Sequence, residues 1–232
     1  MLSGIAADEV RRLVPDADIE NEIWPTAGQM ADHLGSIYRW VASVLRSGIQ
    51  EKRGGLPKPS DDERSEWFDA SRTELLEALN DVDSGRECWT LLGAGTAAFW
   101  TRRMTHETIM HIGDLRSAGR IPAHVVNEVS PEDYADGIDE HFEVFLSRSA
   151  ASLPPLPGSL ALVASDSTRS WLLSPTWEAS TGNRADAVVH ATTGDLALFA
   201  WDRVRPVELV DSFVVDGDPA ILEAYRDSPV HP

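Results

Sequence analysis

The stretch Arg-Arg-Met-Thr-His-Glu-Thr-Ile-Met-His-Ile-Gly-Asp, residues 102–114, decides the fold, because it places polar side chains on the apolar face of a predicted helix. This helix begins near Thr96, and its inward stripe contains Trp100, Met104, Glu107, His111 and Asp114. Burying a carboxylate and an imidazole without partners would be costly. A shared metal ion is one arrangement that would satisfy both side chains.

A second predicted helix carries a third candidate ligand. Thr26 and Gln29 form a capping box at its start, and it ends near Gly48. His33 lies within the apolar stripe of this helix. Because Glu107 and His111 are four residues apart, they lie only about 40° apart around their own helix. Two histidines and one carboxylate would leave an open position on a zinc ion, which is what catalysis requires.

Simpler explanations of these residues remain open from spacing alone. A Glu–His pair at this spacing also occurs as an ordinary helix interaction, and His33 would also fit as a hydrogen-bonded core histidine. A zinc-protease motif is excluded, because it needs two histidines four residues apart, whereas His106 and His111 are five apart. His106 is therefore expected at the solvent or at a helix junction. Asp114 is expected to orient His111 or to act as an extra ligand.

Composition limits the possible partners and the cellular location. The chain has 232 residues and a formal net charge of -18, which repels nucleic acid and anionic membranes, so neither is expected as a partner. Any anionic substrate must then be held by local arginines. Cys88 is the single cysteine, so no internal disulfide forms, and a cytoplasmic location is expected. No apolar run is long enough to span a membrane.

The chain is expected to have an α+β fold made of two domains. Residues 1–150 are predicted to be helical, with further helices starting at the capping box of Ser60 and Glu63 and at Ser130. A proline-rich linker follows at residues 150–158. Residues 151–232 are predicted to form a small α+β domain. Its strands are expected at 159–165, 169–173, 187–191 and 212–215, and its short helices at 193–201 and 218–225.

Several segments resemble the mycothiol-dependent maleylpyruvate isomerase family, which has an N-terminal DinB-like four-helix bundle and a C-terminal domain similar to sterol carrier proteins. The first domain carries the resemblance in Ala31-Asp32-His33-Leu34-Gly35, in Phe99 to Thr108, and in His111 and Asp114. The second carries it in Pro157-Gly158-Ser159-Leu160, Gly194-Asp195-Leu196, Trp201-Asp202-Arg203 and Gly217-Asp218. The sequence departs from the family pattern at Trp24, which is displaced by one residue, and at Ile112, where the family often has arginine.

The resemblance implies a mycothiol-dependent metalloenzyme. His33, Glu107 and His111 would bind zinc or another divalent metal, and mycothiol would bind as the zinc thiolate. The thiol would add to an electrophilic small molecule, either as an S-transferase or in a cis–trans isomerisation of the maleylpyruvate type. Arg103, Arg203 and Asp114 are the implied catalytic residues, with the two arginines as candidates for holding a substrate carboxylate.

The expected partners are thus a small thiol and an electrophile, and the chain is expected to be a monomer or a homodimer. A rival hypothesis is a non-catalytic bundle that binds a small molecule or a protein and keeps the metal site as a structural element.

Overall fold

The computed structural model describes residues 2–19, 24–55, 57–118, 125–204 and 212–230. By its internal contacts the chain divides into two compact units, Met1–His124 and Val125–Pro232. Among the helices of the described ranges, none combines the length and the apolar character needed to cross a membrane.

The first unit contains a bundle of four helices, as the sequence predicts. They are α1 (Leu2–Arg12), α2 (Ala27–Ser47), α3 (Arg64–Asp81) and α4 (Ala97–Arg116). Helix α2 packs against α3 and α4, and α1 packs against the same two helices. The core between them is built from fully buried side chains that include Met30, Leu34, Tyr38, Leu45, Phe68, Trp100, Ile109 and Ile112.

The ends of α2 confirm the predicted caps, whereas α3 begins later than its capping box predicts. Thr26 accepts a hydrogen bond from the backbone N–H of Gln29 at 3.3 Å. Gly48 ends the helix with a φ of 78°, a left-handed conformation that glycine adopts without steric cost. The Glu63 carboxylate accepts from the backbone N–H of Ser60 at 3.4 Å, but α3 starts only at Arg64, after one turn.

A hairpin between α3 and α4 was not predicted. Its strands are β1 (Glu87–Thr90) and β2 (Gly93–Thr96), paired antiparallel. Gly93 and Gly95 in β2 have no side chains, so the sequence shows no alternation of polar and apolar residues that would predict a strand here. The indole N–H of Trp100 donates to the carbonyl of Trp89 at 2.8 Å, which fixes the hairpin to α4.

The second unit begins with α5 (Pro131–Glu140), which continues into a π-helical turn at His141–Leu146 and two short turns at Ser147–Ser149 and Ala150–Ser152. Five strands follow: β3 (Leu160–Ala164), β4 (Ser170–Leu173), β5 (Ala179–Ser180), β6 (Ala187–Ala191) and β7 (Val214–Gly217). Their order in the sheet is β5-β4-β3-β6-β7, with β3 parallel to β6 and the other pairs antiparallel. Helices α6 (Thr193–Ala200) and α7 (Pro219–Arg226) complete an α+β chain, which confirms the predicted fold class.

The predicted boundary between residues 150 and 151 does not coincide with the division between the compact units. Helix α5 packs against α6, so it belongs with the second unit. The proline-rich stretch is also bound to that unit, since the indole N–H of Trp177 donates to the carbonyl of Pro154 at 2.8 Å. The N–H of Leu156 likewise donates to the carbonyl of Pro175 at 2.9 Å. Composition marks this stretch as irregular, but contacts between distant residues decide where it packs.

Candidate metal centre

The three predicted ligands meet between two helices of the bundle. His33 lies on α2, and Glu107 and His111 lie one turn apart on α4. Each offers one ligand atom, and these atoms all lie within 4.8 Å of one another. The Nε2 atoms of both histidines lie 3.3 Å from the same oxygen, Oε1 of Glu107. In the first unit α4 thus supplies two ligand candidates and α2 the third.

Asp114 holds the ring of His111. Its Oδ2 lies 2.8 Å from Nδ1 of His111, and both side chains are buried. A carboxylate in this position accepts the Nδ1 proton, which leaves Nε2 free to act as a metal ligand. The structure therefore brings Asp114 to the site as an orienting partner of His111.

Arg103 is the second predicted residue that the structure brings to the cluster. It lies one turn before Glu107 on α4, and its Nη2 donates to Oε2 of Glu107, the oxygen that faces away from the histidines. Arg103 is 2% exposed, so its charge is buried against this carboxylate. The contact is one that orients Glu107 and compensates its charge.

The pKa shifts of Glu107, His33 and His111 determine which of these side chains can bind a cation. Burial raises the pKa of Glu107, but the positive charges of Arg103 and His111 and the hydrogen bonds from both histidines outweigh it, so this pKa lies well below its ordinary value. Burial lowers the pKa of His33, so this ring is neutral and its lone pair is available. Burial also lowers the pKa of His111, but Glu107 and Asp114 together raise it above the ordinary value. Protons and a metal ion therefore compete for His111.

Trp24 covers one side of the cluster. Its ring stacks on the ring of His33, with centroids 3.6 Å apart and planes 27° apart. Its edge faces His111 at 6.4 Å between centroids. The aromatic ring lies against one ligand candidate and near another, although Trp24 is displaced from the family position by one residue. The sequence shows this displacement but does not predict a role for Trp24.

Three further residues considered in the sequence are Arg203, His106 and Cys88. Arg203 belongs to the second unit, where it follows α6 and donates from Nη1 to the carbonyl of Trp201 at 2.8 Å. His106 is expected at the solvent or at a helix junction; it is 2% exposed, which excludes the solvent. Cys88 is buried on β1, and burial raises the pKa of its thiol, which disfavours a role as nucleophile.

An ion pair next to His33 was not predicted. The Nε atom of Arg64 on α3 donates to Oδ1 of Asp32 at 2.8 Å, and less than a tenth of either side chain is exposed. Asp32 precedes His33 on α2, so this pair ties the ligand-bearing turn of α2 to α3. The available signal was an aspartate within an apolar helical stretch, but its partner lies 32 residues away.

The geometry fits a divalent metal ion. Two of the ligand separations are 3.3 Å. A tetrahedron with metal–ligand bonds of about 2.1 Å has edges of roughly 3.4 Å. The donor set of two imidazoles and one carboxylate suits zinc and several other divalent ions. Asp114 and Arg103 each contact one ligand candidate, His111 and Glu107 respectively.

Comparisons with known proteins show which domains and folds this chain is similar to. Residues 7–116 match the model of the mycothiol maleylpyruvate isomerase N-terminal domain. Two solved structures cover the whole chain: mycothiol-dependent maleylpyruvate isomerase at 14% identity and a TM-score of 0.65, and its histidine-to-alanine variant at 12% and 0.68. The chain covers 93% and 92% of those chains. At such identities the likeness shows a shared fold.

Two further comparisons add nothing to this assignment. A sterol carrier protein 2-like structure from Aedes aegypti matches 39% of this chain and 94% of its own at 13% identity, but the TM-score of 0.31 is too low to show a shared fold. A comparison with curated proteins gives no match. The likeness to this family rests on the first half of the chain, where residues 7–116 match the model of the mycothiol maleylpyruvate isomerase N-terminal domain.

Proposed function

We propose that this chain is a metal-dependent enzyme that uses mycothiol as its thiol cosubstrate and adds the thiol to an electrophilic small molecule. The observation that carries this proposal is the convergence of His33, Glu107 and His111 within a domain of this family. The product is either an S-adduct or the cis–trans isomer of the substrate, as in a maleylpyruvate-type isomerisation.

His33, Glu107 and His111 would hold the metal ion, which we propose to be zinc. When bound, a divalent ion lowers the pKa of a thiol ligand, so that the nucleophilic thiolate is present at neutral pH. Asp114 keeps the proton of His111 on Nδ1, and Arg103 holds the carboxylate of Glu107 in place. Trp24 shields the face of His33 from water.

Both reactions start with the same addition. The sulfur forms a bond to one carbon of an electron-poor double bond, and the electron pair of that double bond moves to the adjacent carbonyl oxygen. The former double bond is now a single bond and rotates. Return of the electron pair re-forms the double bond, expels the thiolate and gives the isomer, whereas protonation of the carbon next to the carbonyl gives the S-adduct. Because Arg103 already donates a hydrogen bond to Glu107, Arg203 is the better candidate of the two arginines for binding a substrate carboxylate.

The first test is the metal content of the untagged protein, measured by elemental mass spectrometry in the wild type and in His33→Ala and Glu107→Ala. We expect about one divalent ion per wild-type chain and none in either variant, since two remaining ligands bind weakly. His190→Ala, in β6 of the second unit, is the matched control and should keep the ion. Retention of the ion in both cluster variants would refute the site.

The second test separates an enzyme from a binding bundle with a structural metal. Mycothiol affinity is measured by calorimetry with the metal-loaded protein and after removal of the metal by a chelator. We expect binding only with metal, because the thiolate needs the cation. Equal thiol affinity in both states would favour the non-catalytic bundle.

A further inference from the structure

The two carboxylate oxygens of Glu107 have different surroundings. Oε1 lies 3.3 Å from Nε2 of His33 and 3.3 Å from Nε2 of His111. Oε2 instead accepts a hydrogen bond from Nη2 of Arg103. The carboxylate therefore presents one oxygen to the other two ligand candidates and the other oxygen to a guanidinium group.

The helix and the burial of the pair hold Arg103 in this position. Arg103 precedes Glu107 by four residues on α4, so the two side chains leave the helix only about 40° apart. Only 3% of the Arg103 side chain and 12% of the Glu107 side chain are exposed, so the solvent screens the pair little. A charged hydrogen bond in such surroundings fixes the plane of the carboxylate.

This pair restricts how Glu107 can bind a metal ion. A carboxylate binds a divalent ion through one oxygen or through both. An ion bound through both oxygens of Glu107 would lie closer to the guanidinium of Arg103, and two cations at short range in a buried site repel each other strongly. Binding through Oε1 alone keeps the ion on the side of the histidines and leaves the hydrogen bond of Oε2 intact.

The number of oxygens that bind decides what else the ion can hold. With one atom each from His33, Glu107 and His111, the fourth position of a tetrahedral ion stays open. A second oxygen from Glu107 would fill that position or enlarge the coordination shell. A larger, oxygen-rich shell suits Mn²⁺ better than zinc.

We infer that Arg103 keeps Glu107 a one-oxygen ligand, and that it thereby determines both the preference for zinc over ions of higher coordination number and the open position for a thiol. The inference rests on the proposed function, because it requires that the cluster binds a metal ion. Arg103 is a positioning residue, since it acts on the ion through Glu107.

The first experiment measures metal preference. The affinities for Zn²⁺ and Mn²⁺ are determined by competition with a chelator in the wild type, Arg103→Gln and Arg103→Lys. We expect the ratio of zinc to manganese affinity to fall at least about tenfold in Arg103→Gln. Arg103→Lys keeps a cation beside Oε2 and should retain most of the ratio. Loss of a positive charge alone would strengthen the binding of both ions and leave their ratio unchanged.

Arg116→Gln is the matched control for these variants. Arg116 lies on the same helix, and its Nε atom pairs with the carboxylate of Glu9 at 2.9 Å. The substitution removes the same charge from another arginine–carboxylate pair, and we expect an unchanged ratio of the two affinities.

The second experiment observes the carboxylate in the wild type. The infrared difference spectrum between the zinc-loaded and the metal-free protein reports the carboxylate groups that the ion changes. The separation between the asymmetric and symmetric stretching bands is larger for binding through one oxygen than through two. We expect the larger separation in the wild type and the smaller one in Arg103→Gln.

Binding through both oxygens in the wild type would overturn the inference, and so would an equal ratio of affinities in the wild type and Arg103→Gln. If circular dichroism shows that Arg103→Gln does not fold, the infrared spectrum of the wild type decides alone. Failure of the proposed function has a different signature: the wild type binds no metal ion, or the ion does not change its affinity for mycothiol.

Discussion

Asp114 holds the ring of His111 through a 2.8 Å hydrogen bond. Replacing it by asparagine removes the charge that fixes the Nδ1 proton. We expect Asp114→Asn to lower metal affinity about 10- to 100-fold, measured by competition with a chromogenic chelator. Asp216→Asn, an exposed carboxylate on β7, is the control. Unchanged affinity in Asp114→Asn would show that the hydrogen bond is unimportant for the site.

Trp24 is expected to contribute to metal binding through its stacking on His33. Trp24→Ala would expose the imidazole face to water and free its rotation, so we expect weaker metal binding. Trp24→Phe keeps an aromatic ring in place and should retain most of the affinity. The same chelator competition measures both. Equal losses in the two variants would indicate that the indole acts through something other than stacking.

The three ligand candidates could be identified in the sequence because their signal is local. Glu107 and His111 are recognised by their four-residue spacing on an apolar helix face. His33 is recognised because it interrupts a regular apolar stripe on its helix. The contacts of Trp24 and Arg64 could not be predicted in the same way. Each of these contacts needs a partner residue in another element, and the sequence alone does not show which residues of different elements come into contact.

At the level of elements, the buried pair of Asp32 and Arg64 joins α2 to α3. Arg64→Leu leaves the Asp32 carboxylate buried without its partner, and we expect a loss of about 3–5 kcal/mol in the free energy of unfolding. Arg46→Leu removes an exposed pair with Glu77 and should cost less than about 1 kcal/mol. Urea denaturation measures both. Comparable losses would mean that the burial of the pair does not determine its contribution.

Gly217 ends β7 in a conformation that only glycine adopts easily. Its φ is 94°, and an added Cβ would collide with the backbone carbonyl of Asp186. We expect Gly217→Ala to lower the melting temperature of the second unit and to leave the metal content unchanged. Gly4→Ala is the control, because Gly4 lies in α1 with open space around it, and it should be neutral or slightly stabilising. A Gly217→Ala variant as stable as the wild type would contradict this explanation.

Elements with a strong internal pattern were predicted within a few residues. The strand at 187–191 is present with the predicted bounds, and α2 has both predicted caps. The predicted strand at 212–215 is shifted, since β7 begins at Val214. The hairpin of β1 and β2 was missed because its residues show no alternation. The packing of α5 on α6 was not predicted. The apolar face of an amphipathic helix indicates that another element covers it, but does not identify that element.

For the molecule as a whole, the division into two compact units predicts which fragments of the chain can fold independently. A fragment of residues 125–232 keeps α5 against α6, whereas a fragment of residues 151–232 removes α5 and exposes the surface of α6 that it covers. We expect the longer fragment to unfold cooperatively on heating and the shorter one to be less stable or to aggregate. Circular dichroism and light scattering measure both. Equal stability of the two would place the boundary at the proline-rich stretch after all.

His33 and Glu107 lie 74 positions apart in the chain, so an ion held by both acts as a reversible crosslink. The segment it closes includes all of α3 and the β1–β2 hairpin. The unfolded chain cannot keep the three ligands together, so the ion binds the folded bundle and shifts the folding equilibrium by an amount that grows with the logarithm of its free concentration. The lifetime of the bundle would then follow the metal supply around it, independently of any substrate.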